Sequence, residues 1–332
     1  MRSRLQPARG FVLPVTVIVL ALVAVGIALM AHHSDQLRRL VESAQREQQA
    51  AAEVQAALAQ AQVLAASMYR QAGRRGTIEL DGRFYRTPRG TYISWQDAAG
   101  LLNLGRATEV ELAALLRAVG VGEERVARLV DTLLDYADAD GLTRLNGAEA
   151  QQYEAAGLPP PRNAALLVPD EVQRIAAWSA LDAALRRRVL DLVAVGPAGG
   201  INRYTVKAPV LAAVAGIDVA AAQALLDQRA PGQPVPLESL QATAGGASLF
   251  GMGRYVAMPG PTVVLTICPT QVVWCQRVSL TTTDADPAPW HVDYSVRQAR
   301  TTPLPAAQSV APLPDQPPPA PPPVMLPFGL MQ

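Results

Sequence analysis

The chain has 332 residues and a formal net charge of +1, enough length for two compact domains or for one domain carrying a large insertion. Near-neutrality removes any electrostatic case for nucleic acid or acidic polymers, and two cysteines exclude a disulfide-dense scaffold and a four-cysteine zinc site. Half of the residues are hydrophobic but only 5% are aromatic, the composition of a largely helical body with small-residue packing.

At the N-terminus Arg2, Arg4 and Arg9 precede an uncharged apolar run, 11–31, which as a helix spans roughly 30 Å, the thickness of a bilayer core. Basic flanks stay cytoplasmic, so the chain beyond His32 is expected outside the cytoplasm. Three readings are open for this segment. A cleaved secretory signal fits poorly, because the run is long and no small-x-small site follows it. An ordinary signal anchor is the plain alternative. The third is a short basic leader ending in Gly10, with Phe11 opening the hydrophobic run. That junction resembles substrates of prepilin peptidase, and a residue without a side chain lets a protease approach the backbone.

Residues 34–70 contain no proline or glycine and are dominated by good helix formers. Leu37, Leu40, Val41, Ala44, Val54, Leu58, Ala61 and Met68 recur at three- and four-residue spacing, which predicts one apolar stripe. Gly73 supplies a C-cap signal. The expectation is one helix over 11–72, half in lipid and half amphipathic, as in pilin-like proteins; an anchor followed by a stalk would look the same.

Strand patterns at 77–80 and 83–85 flank Asp81-Gly82, a two-residue hairpin signal, and a further strand is predicted over 91–96. Helical patterns follow at 108–119, 123–137, 169–179, 181–193, 208–215 and 219–228, separated by Gly- and Pro-rich loops. Strand patterns return at 262–267, 272–280 and 290–296. This order predicts an α+β fold: a long N-terminal helix and a small antiparallel sheet interrupted by a large all-helical, SAM-like insertion. The divisions are a leader at 1–10, the helix at 11–72, the first part of the sheet at 73–105, the insertion at 106–249 and the second part of the sheet at 250–300. The Pro-rich residues 301–332 have few charges and no periodicity and read as a disordered tail.

Three stretches carry a family resemblance. Ile93-Ser94-Trp95-Gln96-Asp97-Ala98-Ala99-Gly100-Leu101-Leu102-Asn103-Leu104 resembles the strand and turn that lead into the helical insertion of the K pseudopilins of type II secretion systems (general secretion pathway protein K). Asp135-Tyr136-Ala137-Asp138-Ala139-Asp140, then Gly147-Ala148-Glu149 and Tyr153, is similar at matching spacing to that family's acidic segment. Ile201-Asn202 through Leu211, with Gln228-Arg229, is similar to its second helical repeat, more loosely, since Tyr204 and Val206 replace the usual Asn and Ala. Counting from Phe11, the fifth position is Val15 rather than the glutamate most pilins carry, and K subunits similarly lack it.

The resemblance implies a single-pass inner-membrane protein, its C-terminal part periplasmic, processed between Gly10 and Phe11 by prepilin peptidase and methylated there. It further implies a non-enzymatic minor pseudopilin at the pseudopilus tip, beside the I and J (and H) minor pseudopilins and the inner-membrane assembly platform, initiating and capping the fibre for protein export. A different class, a membrane-anchored DNA- or cell-wall-binding protein with a helix-hairpin-helix-like domain, is the alternative. Arg203, Lys207 and Arg229 are the basic residues of the relevant block, too few for a phosphate-gripping surface.

Asp135, Asp138, Asp140 and Glu149 place four carboxylates within fifteen residues, interleaved with Gly141, Asn146 and Gly147. Oxygen-only ligands on a turning loop suit Ca²⁺, whereas Zn²⁺ recruits His or Cys. The spacing is not an EF-hand, and a plain solvated acidic loop has the same composition; the resemblance implies structural calcium, with Asn146, Tyr153 or backbone carbonyls as further candidates. His32 and His33 abut the apolar run and His291 lies among the late strands, positions of interfacial or surface histidines rather than of a base, and no nucleophile-elbow or phosphate-loop motif occurs, so no catalytic residue is assigned. Cys268 and Cys275 flank 269–274, which suits either a hairpin whose ends are joined outside the cytoplasm or two buried free thiols.

Overall fold

The computed structural model describes residues 12–69, 78–197, 200–229, 233–244, 254–283 and 289–314. The leader with Gly10 and Phe11, the Gly73 cap and residues 315–332 lie outside the described residues. The chain divides into two units, 1–52 and 53–332.

Helix α1 (Val12–Tyr69) begins in the first unit and is long and apolar enough to cross a membrane. Leu13, Ile18, Leu22, Ile27 and Met30 all expose their side chains along it, which in water would be costly and in lipid is not. No proline or glycine interrupts the later turns, so the helix continues past the apolar run. In the second unit its buried stripe is Val54, Ala57, Ala61, Leu64 and Ala65, at the three- and four-residue spacing of one helix face. Leu37, Leu40 and Val41, expected on that stripe, are exposed.

Strands β1 (Asp81–Arg86) and β2 (Tyr92–Asp97) form an antiparallel pair closed by residues 87–91, where Thr91 O accepts from Thr87 N at 2.8 Å and Gly90 takes φ +89°. Asp81-Gly82 is therefore not the hairpin turn. It opens β1 and carries a register shift, with Gly82 at φ +87°; a positive-φ glycine serves a bulge as readily as a turn. β2 is buried along its whole length, with Ile93 and Trp95 at its centre.

After β2 the chain passes a 3₁₀ turn (Ala98–Gly100) and the two-residue strand β3 (Leu102–Asn103) and enters the helical insertion. Helix α2 (Glu109–Ala118) starts with a capping box, Thr108 accepting from Glu111 N and Glu111 from Thr108 N. Helix α3 (Glu123–Ala137) buries Val126, Leu129, Val130 and Leu133, and each such side chain contributes about 1.5–3 kcal/mol of burial. Then come α4 (Ala150–Ala155), a 3₁₀ helix at Pro169–Arg174, α5 (Ala176–Ser179) and α6 (Ala183–Leu190). The pattern at 169–179 is thus split, because the Ile175 backbone is extended. Trp178 anchors the block: fully buried, it donates its indole N–H to Leu129 O at 2.8 Å.

Strand β4 (Val193–Ala194) pairs with β3 in parallel; β5 (Ile201–Asn202) pairs in parallel with β6 (Tyr255–Val256). Between β5 and β6 lie α7 (Ala208–Ala215), α8 (Val219–Asp227) and α9 (Leu237–Thr243). The sheet then resumes with β7 (Thr262–Cys268), β8 (Trp274–Thr282) and β9 (Trp290–Ala299). β7 lies directly beside β2, so the helical block is inserted between two neighbouring strands of one sheet.

The sheet has the order β10-β1-β2-β7-β8-β9 and is mixed rather than antiparallel throughout, because β10 (Ala311–Pro312) runs parallel to β1. This corrects the reading of 301–332 as a disordered tail for its first part. Residues 301–314 contain a 3₁₀ turn at Ala307–Ser309, bury Leu313 and bond Leu313 N to Arg86 O at 2.8 Å. Proline suits an edge strand, where the absent N–H costs no ladder bond. Cys268 and Cys275 are joined in a disulfide that closes the β7–β8 hairpin.

Asp97 ties the sheet to the insertion. It is fully buried, and its two oxygens accept from Ala99 N (3.0 Å), Gly260 N (3.1 Å), Asn202 Nδ2 (2.6 Å) and Thr205 Oγ1 (3.2 Å). Burial pushes its carboxyl up while these four donors oppose the shift.

Candidate metal centre

Helix α3 ends at Ala137 with Asp138 as its C-cap, and the chain turns through an acidic loop before α4. Three structural ties shape that loop. Asp131 Oδ2 accepts from both Asn146 N (3.0 Å) and Asn146 Nδ2 (2.9 Å). Asp135, fully buried one helical turn later, accepts from Arg144 N through Oδ2 at 3.1 Å. Asn163, at φ +49°, donates from its amide to Asp140 O at 3.0 Å and from its backbone to Tyr136 O at 3.0 Å. Glu149 stands at the N-cap of α4, its backbone N–H bonded to Gln152 Oε1 at 2.9 Å.

The result brings Asp138, Asp140 and Glu149 together, with one carboxylate oxygen of each lying within 4.8 Å of the others. Asp135 stands beside this trio rather than in it. Its Oδ1 faces the Arg144 guanidinium at 3.3 Å without hydrogen-bond geometry, and Arg144 also lies 3.7 Å from Asp138 Oδ2. Asn146 is committed to Asp131, and the Tyr153 hydroxyl, fully buried, accepts from Ala176 N at 3.2 Å. Neither side chain belongs to the trio.

The electrostatics describe a site in which one guanidinium, that of Arg144, faces several carboxylates. Burial, then Asp140 and Asp135, push the Asp138 carboxyl up; burial, then Asp135, Asp138 and Asp140, do the same to Glu149. Burial is likewise the main cause at Asp135, with Arg144 opposing it. Asp135 Oδ1, Asp138 Oδ1 and both Glu149 oxygens are buried without a hydrogen-bond donor. An orphaned carboxylate oxygen costs several kcal/mol unless a cation or donor meets it. All-oxygen donors on a loop, with orphaned lone pairs converging, fit a hard divalent cation of the calcium type. Gly147 makes the packing feasible, since a Cβ there would lie 1.8 Å from Asp135 Oδ2.

His291 pairs with Asp293 at 2.8 Å on β9, and Asp293 also accepts from Ser279 and Thr281, so the serine bonds the carboxylate rather than the imidazole. The motif around Asp97 has a structural cause that spacing alone did not reveal. Besides the Asp97 hub, a Cβ on Gly100 would meet Thr205 O at 2.5 Å, and Asn103 bonds Gly105 N and Gly196 O. Asn202 repeats the turn bond of Asn103, accepting from Tyr204 N at 3.0 Å.

An apolar helix long enough to span a bilayer, with a sheet whose two middle strands are separated in sequence by a helical block, defines a pilin-like protein with an inserted helical domain. Residues 101–198 match the family described as type II secretion system (T2SS), protein K. The fold is that of a chain in the crystal structure of the GspK-GspI-GspJ complex from the enterotoxigenic Escherichia coli type 2 secretion system. The two share 18% identity at a TM-score of 0.57, over 78% of this chain and 99% of that one. No curated protein matches the sequence. The matched residues take in the acidic motif and the end of the strand-turn motif, the two stretches that resemble the type II secretion K pseudopilins.

Proposed function

We propose that this protein sits at the tip of the type II secretion pseudopilus, where it initiates assembly with the I and J minor pseudopilins and caps the fibre during protein export across the outer membrane. The observation that carries the reading is the insertion between β2 and β7. It makes the globular part far larger than the sheet it interrupts, bulk that a subunit stacked above would have to clear. Support for I and J as partners comes from the solved complex that shares the fold. The work is association rather than catalysis: apolar helices pack in the membrane and then in the fibre. In this reading the protein is inserted in the inner membrane with its C-terminal part in the periplasm, following the basic flank at Arg2, Arg4 and Arg9. It is cleaved between Gly10 and Phe11 by prepilin peptidase, methylated on Phe11, and meets the H subunit and the assembly platform.

Calcium belongs to the same proposal. Asp138, Asp140 and Glu149 would hold the ion, with Asp135 and Arg144 fixing the loop behind them. The ion would neutralise a loop that otherwise repels itself, so its affinity adds to folding stability.

The test is co-expression with the I and J subunits, followed by detergent extraction and affinity capture, with mass spectrometry of the N-terminus. A stable complex in which this chain begins at methylated Phe11 is the expected result. A chain that keeps Arg2 to Gly10 beside an active peptidase, or labels along the whole fibre in electron micrographs, overturns the tip assignment.

A further inference from the structure

The sheet face turned toward the helical insertion encloses a cleft of about 280 Å³, far from the acidic loop in sequence and built from the opposite charge. Arg187, Lys207, Arg277 and Arg300 line it, with Asp191 as the acidic residue of the lining. Asp191 is committed, its Oδ1 lying 2.7 Å from Arg187. Lys207 Nζ has the Asp191 carbonyl at 3.1 Å, and Arg300 has Pro269 O at 3.3 Å. Both leave donors over, because an ammonium carries three N–H groups and a guanidinium five.

Arg277 is the strongest sign that something else belongs here. It is 3% exposed, and its two terminal nitrogens donate to Leu190 O and Val193 O, the latter at 3.0 Å. Its buried Nε–H makes no hydrogen bond of good geometry, with the Tyr294 hydroxyl the nearby polar group. Among the described residues no carboxylate pairs with Lys207, Arg277 or Arg300. Burial pulls the Lys207 ammonium below its ordinary value, Asp191 and Asp81 push it up, and Arg277 and Arg187 pull it down; Asp81 is itself bonded to Arg83. Strand register adds hydroxyls. Ser94, Thr266 and Arg277 stand opposite one another on β2, β7 and β8 and line the same cleft.

We infer that this cleft is an anion site that takes a small oxyanion, a phosphate or a carboxylate, between Lys207, Arg277 and Arg300. Three unmatched cations in a half-enclosed space supply charge-assisted donors, and the two hydroxyls supply neutral ones. The volume falls just short of the ~300–1,000 Å³ usual for small-molecule sites, which suits a small anion rather than a drug-sized ligand. Residues 299–304 form one wall, so the bound anion would hold the start of the C-terminal segment against the sheet.

Calorimetric titration of the full chain in detergent with inorganic phosphate, and separately with succinate, tests this. Saturable binding of either is expected, and the tighter one names the source of the oxyanion. Lys207→Met and Arg300→Met, both at half-buried positions, should each weaken it about tenfold or more. Arg117→Ala, whose guanidinium pairs with Glu123 outside the cleft, should leave it unchanged. The melting temperature of each variant without ligand establishes that it is folded. No saturable binding of either anion at millimolar concentration overturns the inference, as does binding that survives both methionine variants undiminished.

Discussion

Replacing Gly147 with alanine places a methyl group where the loop has no room for one. The new Cβ would sit 1.8 Å from Asp135 Oδ2, 2.7 Å from its Cγ and 3.1 Å from Oδ1, so the carboxylate must move. Asp135 has nowhere near to go: it is fully buried on α3, between core residues Leu133 and Tyr136 in sequence. Displacing it breaks the bond from Arg144 N, and a hydrogen bond to a charged group is worth about 1.5–3 kcal/mol. The Arg144 guanidinium adds little, because that side chain is 41% exposed and screened by solvent. Including the repacking of the turn, Gly147→Ala should cost about 2–4 kcal/mol, or roughly 5–15 °C in melting temperature at 2–4 °C per kcal/mol. The assay is a melting scan of the metal-free protein with excess calcium and with excess chelator. Wild-type protein should melt higher with calcium, and the increment should shrink in Gly147→Ala because the loop that presents Asp138 and Glu149 is distorted. A variant that melts like wild type in both conditions would refute the reasoning about the loop. Equal wild-type midpoints in calcium and chelator would refute the metal assignment instead.

Three further perturbations follow from the same contacts. Cys268→Ser with Cys275→Ser opens a seven-residue separation, and the chain-entropy relation gives a loss of about 2–3 kcal/mol, visible as a lower denaturation midpoint for the double variant and for reduced wild type alike. Asp97→Ala removes the acceptor of four buried donors; a loss of about 2–4 kcal/mol is expected, and hydrogen exchange should accelerate where the insertion joins β2 and β7. Glu171 accepts from Leu167 N (3.0 Å), Arg162 (2.9 Å) and the Tyr136 hydroxyl (3.1 Å). Burial raises its carboxyl, but those donors win and hold it below the usual value. Its contribution is therefore full above the unfolded carboxylate pKa and is lost as pH falls through the lowered folded one. Glu171→Gln should lower stability at neutral pH and flatten the acid limb of the stability curve; the same acid limb in variant and wild type would count against it. The neighbouring Tyr136 hydroxyl, raised to about 12 by burial first and Glu171 second, stays protonated and donating throughout that range.

The helices were legible because their causes are local. The stripe Val126, Leu129, Val130 and Leu133 lies on one helix face whatever it packs against, and Thr108 with Glu111 announces its own cap. The pairing of the sheet was not. Asp81-Gly82 has the composition of a hairpin turn, yet whether a positive-φ glycine closes a turn or bulges a strand depends on which strand lies alongside, and β2 arrives only after the turn at 87–91. The Pro-rich segment shows the same dependence, since Ala311-Pro312 has no period of its own and becomes a strand through the free edge of β1. At the acidic loop, spacing named the four carboxylates but could not separate them. Asp138, Asp140 and Glu149 meet because Asn146 and Asn163 bend the chain, while Asp135, inside α3 in the turn before its Asp138 cap, is drawn off by Arg144. That division gives the four positions different expected behaviour. Losing Asp138, Asp140 or Glu149 should relieve repulsion in the metal-free protein while weakening calcium binding, whereas losing Asp135 should destabilise the fold in either state.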